Sequence, residues 1–351
     1  MGRLVKSRLF WPLIALVVLL LFNAVFTKNF FSIQVVEGHL YGSIIDILKN
    51  VAPLALLAIG MTMVIATGGI DISVGSVVAI SGAIACSIID GRIGSFNNTL
   101  LFAILLALAS GVVCGIWNGL LVAKIKVQPV VATLILMTAG RGIAQLITKG
   151  KIVTINSAPM VNEYYFIGAG YLFGLPFALF IVLIMLGVIL IFVKRTSFGL
   201  FLESLGTNNR SSHLAGIEVD KLKLITYVIS GVMAALAGIL ISSNIKGADC
   251  NNAGLFIELD AILSVAIGGN SLNGGRFSIG SSVIGALVIQ CLTTTVYALG
   301  VPPQTISLVK ALVIIAICLF QSNKFRAAAF GRFMSLKKSK DLLFKKGAQI
   351  S

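Results

Sequence analysis

Long apolar runs, broken by brief polar or glycine-bearing turns, fill the chain from end to end. A bilayer core of about 30 Å takes roughly 20 apolar residues as helix. The runs near that length are 9–26, 46–67, 73–90, 100–123, 127–148, 171–193, 224–243, 278–296 and 304–320. A shorter run at 259–268 begins beside two charges, Glu258 and Asp260. The pattern predicts an all-α integral membrane protein, with about ten transmembrane helices in one bundle and a single transmembrane domain over 1–351.

The interruptions are as informative as the runs. Only Gly68-Gly69-Ile70-Asp71-Ile72 separates the second run from the third, and Lys124-Ile125-Lys126-Val127-Gln128-Pro129 divides the fourth from the fifth. The longest polar interval is 194–223. Within it Phe198, Leu200, Phe201 and Leu205 are spaced to form one face of a short helix ending at Gly206, with Glu203 on the other side. Such a helix either docks a partner or connects two spans along the membrane surface.

Composition agrees that the solvent is largely lipid: 58% of residues are hydrophobic and 11% charged, where soluble domains carry about 25% charged residues. The basic residues mark the ends of the runs. With the N-terminus inside, Arg3, Lys6, Arg8, Lys124, Lys126, Lys194, Arg195, Arg210, Lys221, Lys223, Arg276 and the cluster from Lys324 to Lys346 all fall inside, against Lys28, Arg92, Lys149, Lys151 and Lys246 outside. That bias predicts cytoplasmic N- and C-termini and a basic cytoplasmic tail over 321–351. The net charge of +15 is therefore a topology signal and an attraction to membrane lipid. Without a basic stripe interleaved with aromatics it does not indicate nucleic-acid binding. Arg3, Lys6 and Arg8 before run 9–26 resemble a signal peptide, but Phe26-Thr27-Lys28-Asn29 offers no small-x-small cleavage site, so a retained first helix is expected.

No catalytic constellation is present in the sequence: no HExxH, GxSxG or phosphate loop, since Gly150-Lys151 is followed by Ile152. The chain is expected not to be an enzyme. His39 and His213 stand apart, the five cysteines form no CxxC pair, and no metal site is expected.

Charge inside a membrane helix costs about 2.5–3.5 kcal/mol, so each polar residue there needs a reason. Asp71 either gates a path or touches a transported molecule, or it caps the following helix. Arg141 and Gln145 lie one turn apart and face one way; they pair with Glu258 or Asp260 across the bundle, or line the path. Trp117 and Asn118 either contact a transported molecule, by stacking and amide bonds, or join helices. Lys310 is placed to snorkel outward. Gly111, Gly115 and Gly119 form one stripe of small residues, and Ser230, Ala234 and Gly238 another, fit for close helix packing or a subunit interface. Residues 66–76 also partly repeat at 266–281, through Gly68-Gly69 and Gly268-Gly269, each linking a span descending to the inside with one rising again, as internal repeats of transporters do.

Five blocks in order carry a resemblance: Gly68-Gly69-Ile70-Asp71-Ile72-Ser73-Val74-Gly75, Ala139-Gly140-Arg141-Gly142, Phe198-Gly199 through Ala215-Gly216-Ile217, Glu258-Leu259-Asp260-Ala261-Ile262, and Gly268-Gly269-Asn270 through Gly274-Gly275. Over about residues 10–325 the chain resembles the ribose-type ABC sugar importer permeases. Residues 248–255 and 43–48 look most like the galactofuranose-importing members. The resemblance implies a permease of the bacterial inner membrane that moves a sugar inward. It implies a cytoplasmic ABC ATPase subunit that binds ATP and magnesium, leaving no cofactor in this chain. A second permease chain, identical or paralogous, and an extracytoplasmic sugar-binding protein complete the assembly. It also implies that 194–223 is the coupling loop, with Phe198, Phe201, Glu203, Gly206, Asn208, Ala215 and Gly216 meeting the ATPase. The rival reading is an ion-coupled secondary sugar transporter, which normally buries midspan Asp, Glu or His.

Overall fold

The computed structural model describes residues 9–27, 29–36, 39–94 and 99–321. The described residues are mostly helical: α1 (Phe10–Phe26), α2 (Ser43–Ala66), α3 (Val74–Ile89), α4 (Thr99–Ala123), α5 (Pro129–Thr148), α6 (Val161–Ala169), α7 (Phe177–Arg195), α8 (Phe198–Thr207), α9 (Asn209–Leu214), α10 (Val219–Asn244), α11 (Ile257–Ile267), α12 (Ile279–Ala298) and α13 (Pro303–Gln321). Three two-stranded antiparallel ladders decorate the loops: β1 (Gln34–Val36) with β2 (His39–Tyr41), β3 (Val153–Thr154) with β6 (Gly247–Ala248), and β4 (Tyr171–Leu172) with β5 (Leu175–Pro176). By length and composition, six of the described helices are able to cross a membrane: α2, residues 100–123 of α4, α5, α7, α10 and α12. α1, α3 and residues 307–317 of α13 are shorter apolar helices. α13 belongs to a second unit beginning at Val301, and residues 322–351, which hold the basic tail, lie outside the described residues, as do Arg3, Lys6, Arg8 and Lys28.

Helix is the solution that lets an apolar run satisfy its own backbone polar groups without water. Burial then sorts the helices. The apolar stretch of α2 is 67% buried, whereas that of α7 is 17% buried. α2, α3, α10 and α12 form the interior; α4, α5 and α7 keep broad apolar faces outward, including Leu105, Val113, Leu134, Ile184 and Ile191. Hydrogen bonds between helices pin this interior: Asn23 to Thr295 at 2.7 Å joins α1 to α12, and Thr62 to Ser282 at 2.7 Å joins α2 to α12.

The stripe of Gly111, Gly115 and Gly119 packs on α10 of the same chain. A Cβ on Gly115 would lie 2.6 Å from both the Tyr227 carbonyl oxygen and the Val228 Cα, and one on Gly119 would meet Leu224 Cα at 3.0 Å. Another side of α10 meets α2 and α3: a Cβ on Gly60 would meet the Ser230 Cα at 3.0 Å, and one on Gly238 would run into Val78 and Ser81. α10 therefore has backbones pressed against it on two sides, which is the geometry small residues permit.

The structure moves several expected boundaries. Residues 171–176 form the β4–β5 hairpin rather than the start of α7. α10 begins at Val219 and absorbs Lys221 and Lys223, so the polar interval between α7 and α10 is shorter than 194–223. The short run at 259–268 is α11 alone, and 249–256 before it forms neither helix nor strand.

Candidate functional site

α7 ends at Arg195, and α8 starts after a break at Thr196 and Ser197, where the Thr196 hydroxyl accepts from the Phe198 N–H at 3.2 Å. α8 does not present the apolar face expected from spacing. Phe198 is buried against the Phe192 ring, 4.9 Å away, and Leu202 and Leu205 are also buried. Leu200 and Phe201 are the exposed apolar residues, and Glu203 is half-buried. The reason is that the helix lies flat on the bundle, so its inward stripe is 198, 202 and 205, spaced by four and three.

Nor does Gly206 end the helix. α8 continues to Thr207, and Asn208 then opens α9 by accepting from the Ser211 N–H at 3.0 Å. Gly206 is there for closeness: a Cβ would run into the Ala66 carbonyl oxygen and the Gly275 nitrogen. The Gly275 N–H donates to the Ala66 carbonyl at 3.0 Å, so α8 sits where the α2–α3 turn meets the α11–α12 turn. Gly68, Gly274 and Gly275 all have φ between +79° and +91°, which glycine adopts without strain. Beyond α9, Ala215 ends the helix and Gly216, at φ +82°, turns the chain into α10. Lys124, Lys126, Arg210, His213 and Lys221 line a cavity of about 780 Å³ beside this turn, and Lys126 pairs with Asp220 at 2.7 Å.

Deeper in the bundle, Asp71 is buried and accepts four donors. Oδ1 takes the Ser73 N–H at 3.1 Å, the Ser73 hydroxyl at 2.6 Å and the Asn118 amide at 3.5 Å; Oδ2 takes the Ser230 hydroxyl at 2.9 Å. Bonding to the N–H two residues on shapes the start of α3, and the other partners tie that start to α4 and α10. Asn118 also donates to Ser73 at 2.8 Å. Trp117, its neighbour, points the other way and is 52% exposed on the outer face of α4, so the two do not form one contact surface. Successive helical residues diverge by about 100°, which accounts for the split.

Arg141 does not bond the carboxylates that sequence placed opposite it. Its guanidinium donates to the carbonyls of Cys250 and Ala253, at 3.2 and 2.5 Å, in the irregular segment before α11. Gln145, on the same face, donates to the Asn251 side chain at 2.8 Å. Glu258 is buried in the first turn of α11 beside Gly75 and Gly254, and its Oε2 has no hydrogen-bond partner. Asp260 is half-buried in the same first turn. Lys310 lies half-buried in α13.

The sequence alone gives no site role to Leu202, Ser73 or Ser230. Ser73 and Ser230 read as ordinary small residues, and only the bond each makes to Asp71 distinguishes them. Among the described residues, no cluster of three or more His, Cys, Asp or Glu is placed to hold a metal ion.

Residues 43–318 match the family described as branched-chain amino acid transport system / permease component. The chain belongs to that family. Among its relatives is the galactofuranose transporter permease protein YtfT of Escherichia coli K12, 46% identical over 325 residues, 91% of this chain and 93% of that protein. The fructose import permease protein FruF of Bifidobacterium longum is 34% identical over 92% of this chain and 90% of its own length. The ribose import permease protein RbsC of Haemophilus influenzae is 36% identical over 91% and 94%. No solved structure matches the chain. These relatives are transport permeases rather than enzymes, and with its long apolar helices this family member is a multi-pass membrane protein. The family's description names amino acids, while the three relatives are named for sugars.

Proposed function

We propose that the chain is the membrane-spanning permease subunit of an ATP-binding-cassette importer that brings a sugar, of the galactofuranose, pentose or hexose kind, inward across the bacterial inner membrane. The extended likeness to permeases named for galactofuranose, fructose and ribose carries this reading. About ten spans follow if α1, α3, α13 and the segment 248–267 cross along with the six long helices, and both termini then lie inside. A cytoplasmic ATPase supplies ATP and magnesium chemistry, a second permease chain closes the path, and an extracytoplasmic protein delivers the sugar.

In this reading α8 and α9 form the element that meets the ATPase. α8 is seated on the two glycine turns at the ends of α2 and α11, so a push on it reaches both at once. Leu200 and Phe201 present the apolar contact. The buried Asp71 group then holds α3, α4 and α10 as one body rather than touching sugar.

Reconstitution tests the proposal. The chain alone is expected to hydrolyse no ATP and to accumulate no sugar under a proton gradient; proton-driven uptake would replace the importer reading with a secondary transporter. Topology is checked by an impermeant thiol reagent added outside, which should label Asn97→Cys, a position outside the described residues, but not Ser211→Cys.

A further inference from the structure

The segment between α10 and α11 is out of place for a membrane protein surface. α11 has 11 residues and so reaches about 16 Å from its end at Ile267, half of a core about 30 Å thick. Arg141, which bonds this segment, lies about 18 Å along α5 from Pro129, at a similar depth. Residues 249–256 therefore carry irregular backbone from the last turn of α5, where the Thr148 hydroxyl donates to Cys250 Sγ at 3.2 Å, down to the start of α11 within the core, and Asn251, Asn252, Leu255 and Phe256 are exposed on the surface of the chain. Irregular backbone facing lipid is not sustained at that depth, because water is absent to satisfy its polar groups; it is found buried in protein or lining a water-filled cavity.

The side chains here are chosen for neither lipid nor a dry contact. Gln145 Nε2 donates to Asn251 Oδ1, and Asn252 Nδ2 donates to Asp249 Oδ2 at 2.7 Å. Those bonds engage both asparagines and leave Asn251 Nδ2, Asn252 Oδ1 and Gln145 Oε1 on exposed side chains. Phe256 is 60% exposed and held at φ +62°, a left-handed conformation that costs a bulky residue energy and is retained where surroundings impose it. Amide donors and acceptors beside an aromatic face match a neutral sugar, whose hydroxyls bond amides and whose C–H face stacks on rings.

We propose that this interruption, resting on the permease reading above, is the sugar-contacting step of the path, with Asn251, Asn252 and Gln145 meeting hydroxyls and Phe256 meeting the ring face. Arg141 is a positioning residue: its bonds to the Cys250 and Ala253 carbonyls satisfy backbone that no helix satisfies and hold the segment in shape. The exposed side faces the second permease chain across a water-filled gap.

The test uses the complete transporter in sealed membranes. Asn251→Cys and Asn252→Cys are exposed to methanethiosulfonate ethylsulfonate, with Ile184→Cys on the outer face of α7 as the lipid-facing control and the native cysteines as background. Uptake of radiolabelled D-galactose, D-ribose and D-fructose is measured for the native chain and for Asn251→Leu/Asn252→Leu. The expected result is that both new cysteines react, that Ile184→Cys does not, and that the transported sugar slows the reaction. The Leu pair should lower uptake about tenfold, the equivalent of roughly one hydrogen bond lost in the transition state, at unchanged abundance. Native uptake with unreactive cysteines, or with full activity in the Leu pair, overturns this inference and leaves the permease reading intact. A native transporter that moves none of the three sugars, with reactive cysteines, overturns the sugar assignment itself. If the Leu pair fails to accumulate, Asn251→Gln/Asn252→Gln and the labelling decide.

Discussion

Replacing Gly206 by alanine adds one methyl group at the point where three backbones meet. The new Cβ would run into the Ala66 carbonyl oxygen and the Gly275 nitrogen, with the Gly275 Cα at 3.0 Å. None of these is the tip of a flexible side chain, so relief requires α8 to lift or the two turns to part. Overpacking of this kind costs about 1–3 kcal/mol, and contact with backbone on two sides puts this case at the upper end. Alanine in place of a helical glycine returns about 1 kcal/mol. The net of about 2 kcal/mol shifts the balance between seated and lifted α8 roughly 30-fold towards the lifted state. The bundle interior is untouched, so the protein should still accumulate. The expected outcome in proteoliposomes holding the whole transporter is ATP hydrolysis that no longer drives sugar uptake. Gly187→Ala is the control, since a Cβ at Gly187 meets nothing within 4 Å; it should leave uptake unchanged. Wild-type uptake in Gly206→Ala would refute the reasoning that the seat of α8 transmits the stroke.

Two further outcomes follow from the site. Asp71→Ala leaves the donors of Ser73 and Ser230 without an acceptor and should destabilise the protein by about 2–5 kcal/mol, while Asp71→Asn, which keeps one acceptor oxygen, should cost less; thermal unfolding in detergent, followed by loss of helical signal, separates them, and equal stability of Asp71→Ala and the native chain would remove the structural role. Leu200→Asp/Phe201→Asp should abolish co-purification of the ATPase while abundance stays normal, because both residues are exposed in this chain; retained co-purification would place the contact elsewhere.

Most of the helices were legible because lipid leaves a chain few options. An apolar run of sufficient length must be helical, and nothing about its neighbours changes that. The glycine stripe at Gly111, Gly115 and Gly119 was legible for a related reason: its four-residue spacing puts one face on one line, and only a close neighbour gives that line a use. The neighbour itself, α10, was not legible, since spacing describes a face and not what it meets.

The same limit explains the corrections at the site. Helical spacing groups Phe198 with Leu200, Phe201 and Leu205, but the direction in which α8 lies on the bundle is set by the α2–α3 and α11–α12 turns beneath it, and those come from residues far apart in the chain. Gly206 looked like a helix end because glycine often is one; it is a contact between backbones, which only tertiary structure reveals. Spacing reads Arg141 as pairing with Glu258 or Asp260 or lining the path, yet the segment before α11 exposes carbonyls that no helix satisfies, and a guanidinium with five donors serves them. Local pattern alone sets where the long apolar helices form and which runs end in positive charge, because those follow from solvent and spacing. Tertiary structure decided what each polar residue touches, because a buried donor or acceptor takes whichever partner the packing of distant segments brings within 3 Å or so.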